Sequence, residues 1–326
     1  MKEIALIANQ INAQGFDIIG DIHGFVEPLK KLLTKLGYQE TESSWAHPER
    51  KAIFVGDLID RGLGEKETCE LVRKMVEANQ AHICIGNHEL NAIGYSIEDG
   101  QGDYLRKHSD KNNKQHKAFL AEFPFGSDSY KDMISWFKSL PLWLELSVPS
   151  GQKARVIHAC WHSDSIEKLK PFLKQTSTAF ILGEDVDIRL FKPNTDAFKL
   201  IEIILKGPEK DLPKGSYYID KGGIQRTQSR INWWSPANTW GELAILGGFK
   251  VQGLDLNTPV ESDFSIYEAD LPVFFGHYWR SGDLSVETEK VACLDWSIAK
   301  GGQLVAYRWD GEQVLDVGKM VAVSAD

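Results

Sequence analysis

Apolar runs and helical stretches alternate along the first hundred residues in a regular rhythm. Residues 16 to 19 form a compact apolar run ending at Gly20-Asp21, and Val26, Leu29, Leu32, Leu33 and Leu36 then recur at helical spacing. Residues 52 to 55 lead into Gly56-Asp57 and a helical stretch over 65 to 78. Residues 81 to 85 lead into Gly86-Asn87, with 88 to 94 as another helical start. Three consecutive strand-helix units predict parallel strands with right-handed crossovers, their C-terminal ends on one edge. Ahead of them Ile4, Ile7, Ala8 and Ile11 share one helical face, so residues 3 to 14 predict a short leading helix stopped by Gly15.

Further along, residues 142 to 148 and 155 to 159 flank a Pro-Ser-Gly turn and predict a hairpin or two adjacent strands of a second sheet, with His158 near the end. Residues 163 to 206 are mostly helical in pattern, and KGPEKDLPKGSYYIDKGG then marks an irregular insertion around 206 to 240. Trp233, Trp234 and Trp240 follow; such a cluster can floor a substrate pocket but more often serves packing. Residues 273 to 275 run into Gly276-His277. Residues 291 to 294, 304 to 309 and 314 to 317 predict closing strands, the last two joined at Asp310-Gly311. The polar stretch over 96 to 115 and its RKHSDKNNKQHK run include Asp110 and several uncharged residues, so they read as a solvated loop or helix face rather than a basic nucleic-acid patch.

Composition narrows the class. With 42% hydrophobic and 25% charged residues, the chain sits near globular averages, and its 326 residues fit one large α/β domain with insertions as well as two domains. A net charge of -9 argues against stable, non-specific nucleic-acid binding. Cys69, Cys84, Cys160 and Cys293 form no CxxC pair and read as reduced, buried thiols. No secretion signal or membrane-length apolar run is present, so a cytoplasmic location and no membrane partner are expected.

The residues at the strand ends carry the chemistry. Asp21, His23, Asp57, Asn87, His158 and His277 offer oxygen and imidazole ligands without thiolates, a set that suits Mn, Fe, Zn or related ions. Six ligands are too many for one tetrahedral site and suit two ions sharing a carboxylate. Such a pair, about 3.5–4 Å apart, is the usual clamp for in-line attack on phosphorus.

GDIHG at 20 to 24, GDLIDRG at 56 to 62, GNHE at 86 to 89, His158 after an apolar run and His277 in FFGHYW together resemble the ordered signatures of the calcineurin-like metallophosphoesterases. The motif style is that of the phosphoprotein phosphatase and diadenosine tetraphosphatase branch, and CLDWSIAKGGQLVAYRW resembles the closing Asp and GG-x-L segment of the tetraphosphatases. The resemblance implies an α/β fold, a four-layer α-β-β-α sandwich of two mixed sheets flanked by helices, as one catalytic domain over 1–326. By the same resemblance Asp21 and His23 hold the first metal, Asp57 bridges, and Asn87, His158 and His277 hold the second. His88 is then the general acid, oriented by Asp60, and Arg61 grips the phosphate.

The implied activity is hydrolysis of phosphate monoesters, as in serine/threonine phosphoprotein phosphatases. A metal-bridging hydroxide attacks in line without a phosphoenzyme, and manganese, or else iron or zinc, fills both sites. The alternative substrate is a dinucleoside polyphosphate such as diadenosine tetraphosphate; a reading of another class is a non-catalytic metal-binding scaffold. The expected partner is therefore a phosphorylated protein or nucleotide, and the sequence leaves the oligomeric state open. A nucleotide-binding dehydrogenase is set aside because the first turn lacks GxGxxG. Two departures stand out. Trp279 occupies the place of the second histidine of the wider superfamily's GHxH motif, which leaves that coordination place to water; and the second phosphate-binding arginine has only Arg280 as a candidate. His162 reads as a surface or supporting histidine.

Overall fold

Along the strand Gly15–Ile19, Phe16 and Ile18 point to one side and Ile19 to the other, and this alternation sorts the core into layers. The computed structural model describes residues 13–220, 223–260, 267 and 271–325, and the strand Leu6–Ile7 by its backbone. In the first sheet Gly15–Ile19, Arg50–Phe54 and Ala81–Ile83 run parallel. Gln303–Trp309 joins Gly15–Ile19 antiparallel, and Asp295–Trp296 and Met320–Ser324 pair antiparallel with Gln303–Trp309. The second sheet has the order Leu6–Ile7, Trp143–Ser147, Lys153–Ile157, Val273–Phe275, Val291–Cys293, mixed in direction.

The two sheets face each other. Phe16, Ile18 and Ile53 of the first and Leu144, Val156 and Phe274 of the second share one buried cluster with Tyr307 and Trp309. Burying a side chain such as Phe274 stabilises the fold by about 2–3 kcal/mol, so this layer is what clamps the sheets together. Ile19, Phe54, Val273 and Phe275 turn outward into the cluster shared with the helices. Helix Val26–Leu36 covers the first sheet with Leu29, Leu32, Leu33 and Leu36 and ends at Gly37, whose φ of 95° lets its N–H reach back to Leu33 and Thr34. On the second sheet's side, helix Asp196–Lys206 receives the Ala159 and Cys160 N–H groups at the Ile204 carbonyl. The layering is helix, sheet, sheet, helix.

Several expectations change. Within the predicted helix over 3 to 14, Leu6–Ile7 is instead a strand, parallel to Trp143–Ser147, while residues 3–5 and 8–12 of that prediction lie outside the described residues. Sheet pairing overrides helical spacing there. Residues 314 to 317 are not a strand: Val314 and Val317 are exposed, Asp316 caps a short turn at Gly318, and the closing strand is Met320–Ser324. Residues 163 to 206 hold only two α-helices, Ser163–Leu169 and Asp196–Lys206; the small hairpin Lys174–Gln175 with Phe180–Ile181 lies between them. The irregular segment after 206 builds a three-stranded sheet of Glu209–Asp211, Gln228–Ile231 and Ala244–Ile245, with a small core of Leu212, Trp240 and Val251. All four cysteines are free and buried. Among the described residues no helix is long and apolar enough to cross a membrane.

Candidate functional site

The C-terminal edges of the two sheets meet. His23 N–H donates to the Asp57 carbonyl at 2.9 Å, Gly24 N–H to Leu58 at 2.7 Å, and Gly276 N–H to His158 at 2.8 Å. Four of the seven non-glycine residues with positive φ among those described, His23, Asp57, Asp60 and His277, lie on these turns. Such backbone strain persists only where surrounding contacts over-determine it. At Gly276 an added Cβ would run into Asp21 Oδ1, which is why glycine precedes His277.

Asp57 is the hub. Its Oδ1 accepts from the His88 backbone N–H at 2.9 Å, while Oδ2 faces the Nε2 atoms of His158 at 3.5 Å, His88 at 3.8 Å and His23 at 3.9 Å. Asp57 thus joins two clusters of close ligand atoms, one with His23 and His88 and one with His158 and His277. Asn87 Oδ1 lies 3.2 Å from His158 Nε2. Asp21 Oδ2 accepts from the His277 N–H at 3.0 Å, which brings the two strand ends together.

The histidines are not alike. His23 and His158 hold Nδ1 at the backbone carbonyls of Ile59 and Val55, both at 2.8 Å, which leaves each Nε2 as a lone pair turned to the centre. His88 instead holds Nδ1 at Asp60 Oδ2, 2.7 Å away. Burial pushes its pKa down, but the Asp57 charge and the Asp60 hydrogen bond outweigh burial and raise it. His23 is lowered to about 4, by burial first and by His88 next. Burial likewise raises Asp60, yet hydrogen bonds from His116 and His88 hold it well below the carboxylate range.

The donor set fits divalent metal. His277 Nε2 and Asp21 Oδ1 are buried without a hydrogen-bond partner, an arrangement that is costly unless a cation takes those lone pairs. Burial and the charges of Asp295 and Asp57 push the Asp21 carboxyl well up. Burial, then Arg230 and His158, push His277 well down. A bound cation inverts that crowding of like charges.

Four supporting residues escaped the sequence reading. Glu89, completely buried, accepts from the N–H groups of Asp57, Leu58 and Gly86, and so fastens the second turn to the third. Glu65 accepts from Asp60 and Arg61 N–H at 2.8 and 3.1 Å. His116 reaches Asp60 from the polar stretch read as solvated, and Arg230 comes from the irregular segment to act on His277. Only Glu89 carried a signal, as the last residue of GNHE.

Of the other candidates, Arg61 is exposed, and its guanidinium makes no hydrogen bond or ion pair with the described residues. Arg280 forms an ion pair with Glu287 at 3.0 Å. Trp233 and Trp234 are buried against Phe275, so they serve packing rather than a pocket floor. His162 caps helix Ser163–Leu169 through the Ser165 N–H.

The sequence profile described as calcineurin-like phosphoesterase matches residues 16–196, more than half of the chain. A protein of Marinomonas sp. (strain MWYL1) named symmetrical bis(5'-nucleosyl)-tetraphosphatase is 24% identical over 302 residues, 91% of this chain and 94% of its own length. The asymmetrical bis(5'-nucleosyl)-tetraphosphatase PrpE of Oceanobacillus iheyensis is 44% identical over 131 residues, which span 40% of this chain and 51% of that protein. A structure of a serine/threonine phosphatase from Saccharomyces cerevisiae aligns over 98% of this chain and 82% of its own, with 16% identity and a TM-score of 0.46.

Proposed function

The chain belongs to the calcineurin-like phosphoesterases and is a metal-dependent hydrolase of phosphate esters; from that premise we propose that its substrate is a dinucleoside polyphosphate, with two ions at the Asp57 hub. Asp21 and His23 would hold one ion, Asn87, His158 and His277 the other, and Asp57 would serve both. The observation that carries the two-ion reading is the Asp57 carboxylate shared by two clusters of ligand atoms, its Oδ2 facing His158 Nε2 at 3.5 Å and His23 Nε2 at 3.9 Å. When bound, the ions supply Lewis-acid neutralisation of charge on the phosphate oxygens and an activated water.

His88 is assigned to acid catalysis rather than ligation because its Nδ1 is held by the Asp60 carboxylate, a partner that stabilises the protonated ring, whereas His23 and His158 hold Nδ1 at backbone carbonyls. With Nδ1 kept on Asp60, its Nε2 proton is the one available to the departing oxygen. Arg61 on the rim and Arg230 beside His277 would take phosphate oxygens, for which the planar guanidinium fork is suited. A base would have Trp279 to stack on, since that ring is 47% exposed and stands two residues from His277, although the Lys300 ammonium, 3.2 Å from its centroid, covers one face.

The tetraphosphatase named above, matched over nearly its whole length, favours the polyphosphate over the phosphoprotein monoester as substrate. Manganese as the ion and the cytoplasm as the location remain part of this proposal. Steady-state hydrolysis by the metal-loaded protein of diadenosine tetraphosphate, a phosphopeptide and a phosphorylated RNA end tests the substrate. The expected result is a kcat/KM at least tenfold higher for the tetraphosphate; preference for the phosphopeptide overturns the assignment. His88→Ala is expected to lower turnover by about 10²- to 10⁴-fold with both ions retained.

A further inference from the structure

Asp60 is shared. Its Oδ2 takes Nδ1 of His88 at 2.7 Å, and its Oδ1 takes Nδ1 of His116 at 2.6 Å. His116 stands between the short helices Asp110–Gln115 and Lys117–Glu122 and belongs to none of the motif blocks. It is nevertheless buried. Its ring stacks on Phe119 at 4.8 Å and 23°, and lies tilted against Tyr95 at 5.2 Å. Phe119 is itself fully buried and stacked on Phe123, so the imidazole sits in a rigid aromatic seat.

A carboxylate tied at one oxygen can still rotate about its Cβ–Cγ bond, and a hydrogen bond at the other oxygen, from a separate element, fixes its plane. The plane of Asp60 in turn fixes the ring of His88. We propose that His116 is a positioning residue for the hydrolytic reaction, which locks the Asp60 carboxylate so that His88 Nε2 points at the departing oxygen. This rests on the reading of His88 as the acid. An acid misaimed by about an ångström loses much of its effect, because proton transfer demands hydrogen-bond geometry at the moment the P–O bond breaks. As that bond breaks, its electron pair stays on the leaving oxygen and the His88 proton neutralises it. A good leaving group needs little of this help and a poor one much.

That difference separates positioning from mere support. His116→Phe keeps the aromatic seat and removes the donor, while His116→Asn restores an N–H near the Nδ1 position. Turnover of the metal-loaded protein is measured across a series of aryl and alkyl phosphate esters of rising leaving-group pKa. For His116→Phe the expected loss is about threefold or less on p-nitrophenyl phosphate and about 10- to 100-fold on the poorest leaving groups, with partial recovery in His116→Asn. An equal loss across the series overturns the proposal. So does no loss at all. His88→Ala is run beside them: if its loss fails to grow with leaving-group pKa, the acid reading itself fails, and if it grows while that of His116→Phe does not, only the role of His116 fails. A readout without turnover is the proton NMR spectrum of the metal-free protein. Two imidazole N–H signals are expected at lower field than those of the carbonyl-bound His23 and His158, one lost in His116→Phe and both in Asp60→Ala; retention of both in His116→Phe contradicts the hydrogen bond. If His116→Phe does not fold, His116→Leu, which also lacks a donor, takes its place in both measurements.

Discussion

Glu89→Gln changes one atom and asks whether the turns of the site are held by a buried charge. Oε2 of Glu89 accepts from the N–H groups of Asp57 and Gly86, both at 2.9 Å, and Oε1 from Leu58 at 2.8 Å. A glutamine can keep its oxygen at the first position and two of these bonds, but its NH2 then faces the Leu58 N–H. One buried backbone donor goes unsatisfied, at about 1–3 kcal/mol. The two surviving bonds fall from charge-assisted to neutral strength, adding about 1–2 kcal/mol together. The bonds forgone sum to roughly 2–5 kcal/mol. Against this, burial, and the Asp57 charge after it, push the Glu89 carboxyl up from 4.5 to about 7, so the folded chain holds an extra proton between those values and the ionised group costs the fold about 3 kcal/mol above them, a cost the neutral glutamine escapes. The two effects oppose each other at pH 8.5, and the pH dependence separates them: in urea unfolding of the metal-free protein, with a slope of about 3 kcal/mol per molar, this group lowers the midpoint by roughly 1 M as the pH rises from 4.5 to 8.5, and Glu89→Gln should remove that fall. A midpoint profile parallel to that of the unaltered protein would refute the reasoning.

Two further substitutions test the surroundings. In Gly276→Ala the new methyl collides with Asp21 Oδ1 and meets Val55 Cγ2 at 2.9 Å, so calorimetric titration should show at least about tenfold weaker binding of one metal ion; a titration identical to that of the unaltered protein contradicts this. His82, whose neighbouring strand carries Lys51, is held down to about 4 from 6.5, by burial first and the Lys51 charge second. Its folded pKa lies below the unfolded one, so the unfolded chain binds the extra proton in that window, and the contribution present above pH 6.5 is lost as the pH falls towards 4. The ceiling is about 3 kcal/mol, lowered by the partial exposure of the ring. His82→Leu should flatten the dependence of the urea midpoint on pH in this window, and a profile parallel to the unaltered protein rules the assignment out.

The parts of the site legible in the sequence are those encoded locally. GDIHG, GDLIDRG and GNHE each end a strand, so the order of the blocks also gave the parallel sheet that brings Asp21, Asp57 and Asn87 to one edge. Glu89 sat in view inside its block, but two of its three accepted bonds come from a turn some thirty residues away in sequence, and no spacing reveals them. His116 and Arg230 were hidden for a stronger reason. Both lie in polar stretches whose composition describes a solvated surface, and only the packing of Phe119 in one case and the pairing of Gln228–Ile231 in the other turns them inward. Leu6–Ile7 failed in the opposite sense, since its helical spacing was real but the edge of Trp143–Ser147 offered a ladder. Local pattern loses wherever a distant partner decides the conformation.

The central claim is that two ions share the Asp57 carboxylate and that hydrolysis depends on them. Metal content per chain and turnover of p-nitrophenyl phosphate, measured together on the protein as purified, after chelation, and in Asp57→Asn, test it most directly. The account predicts two equivalents bound and active, none and inactive after chelation with activity regained on adding Mn²⁺, and loss of both ions in Asp57→Asn. Full turnover by the metal-free protein, or two ions retained by an active Asp57→Asn, would contradict it.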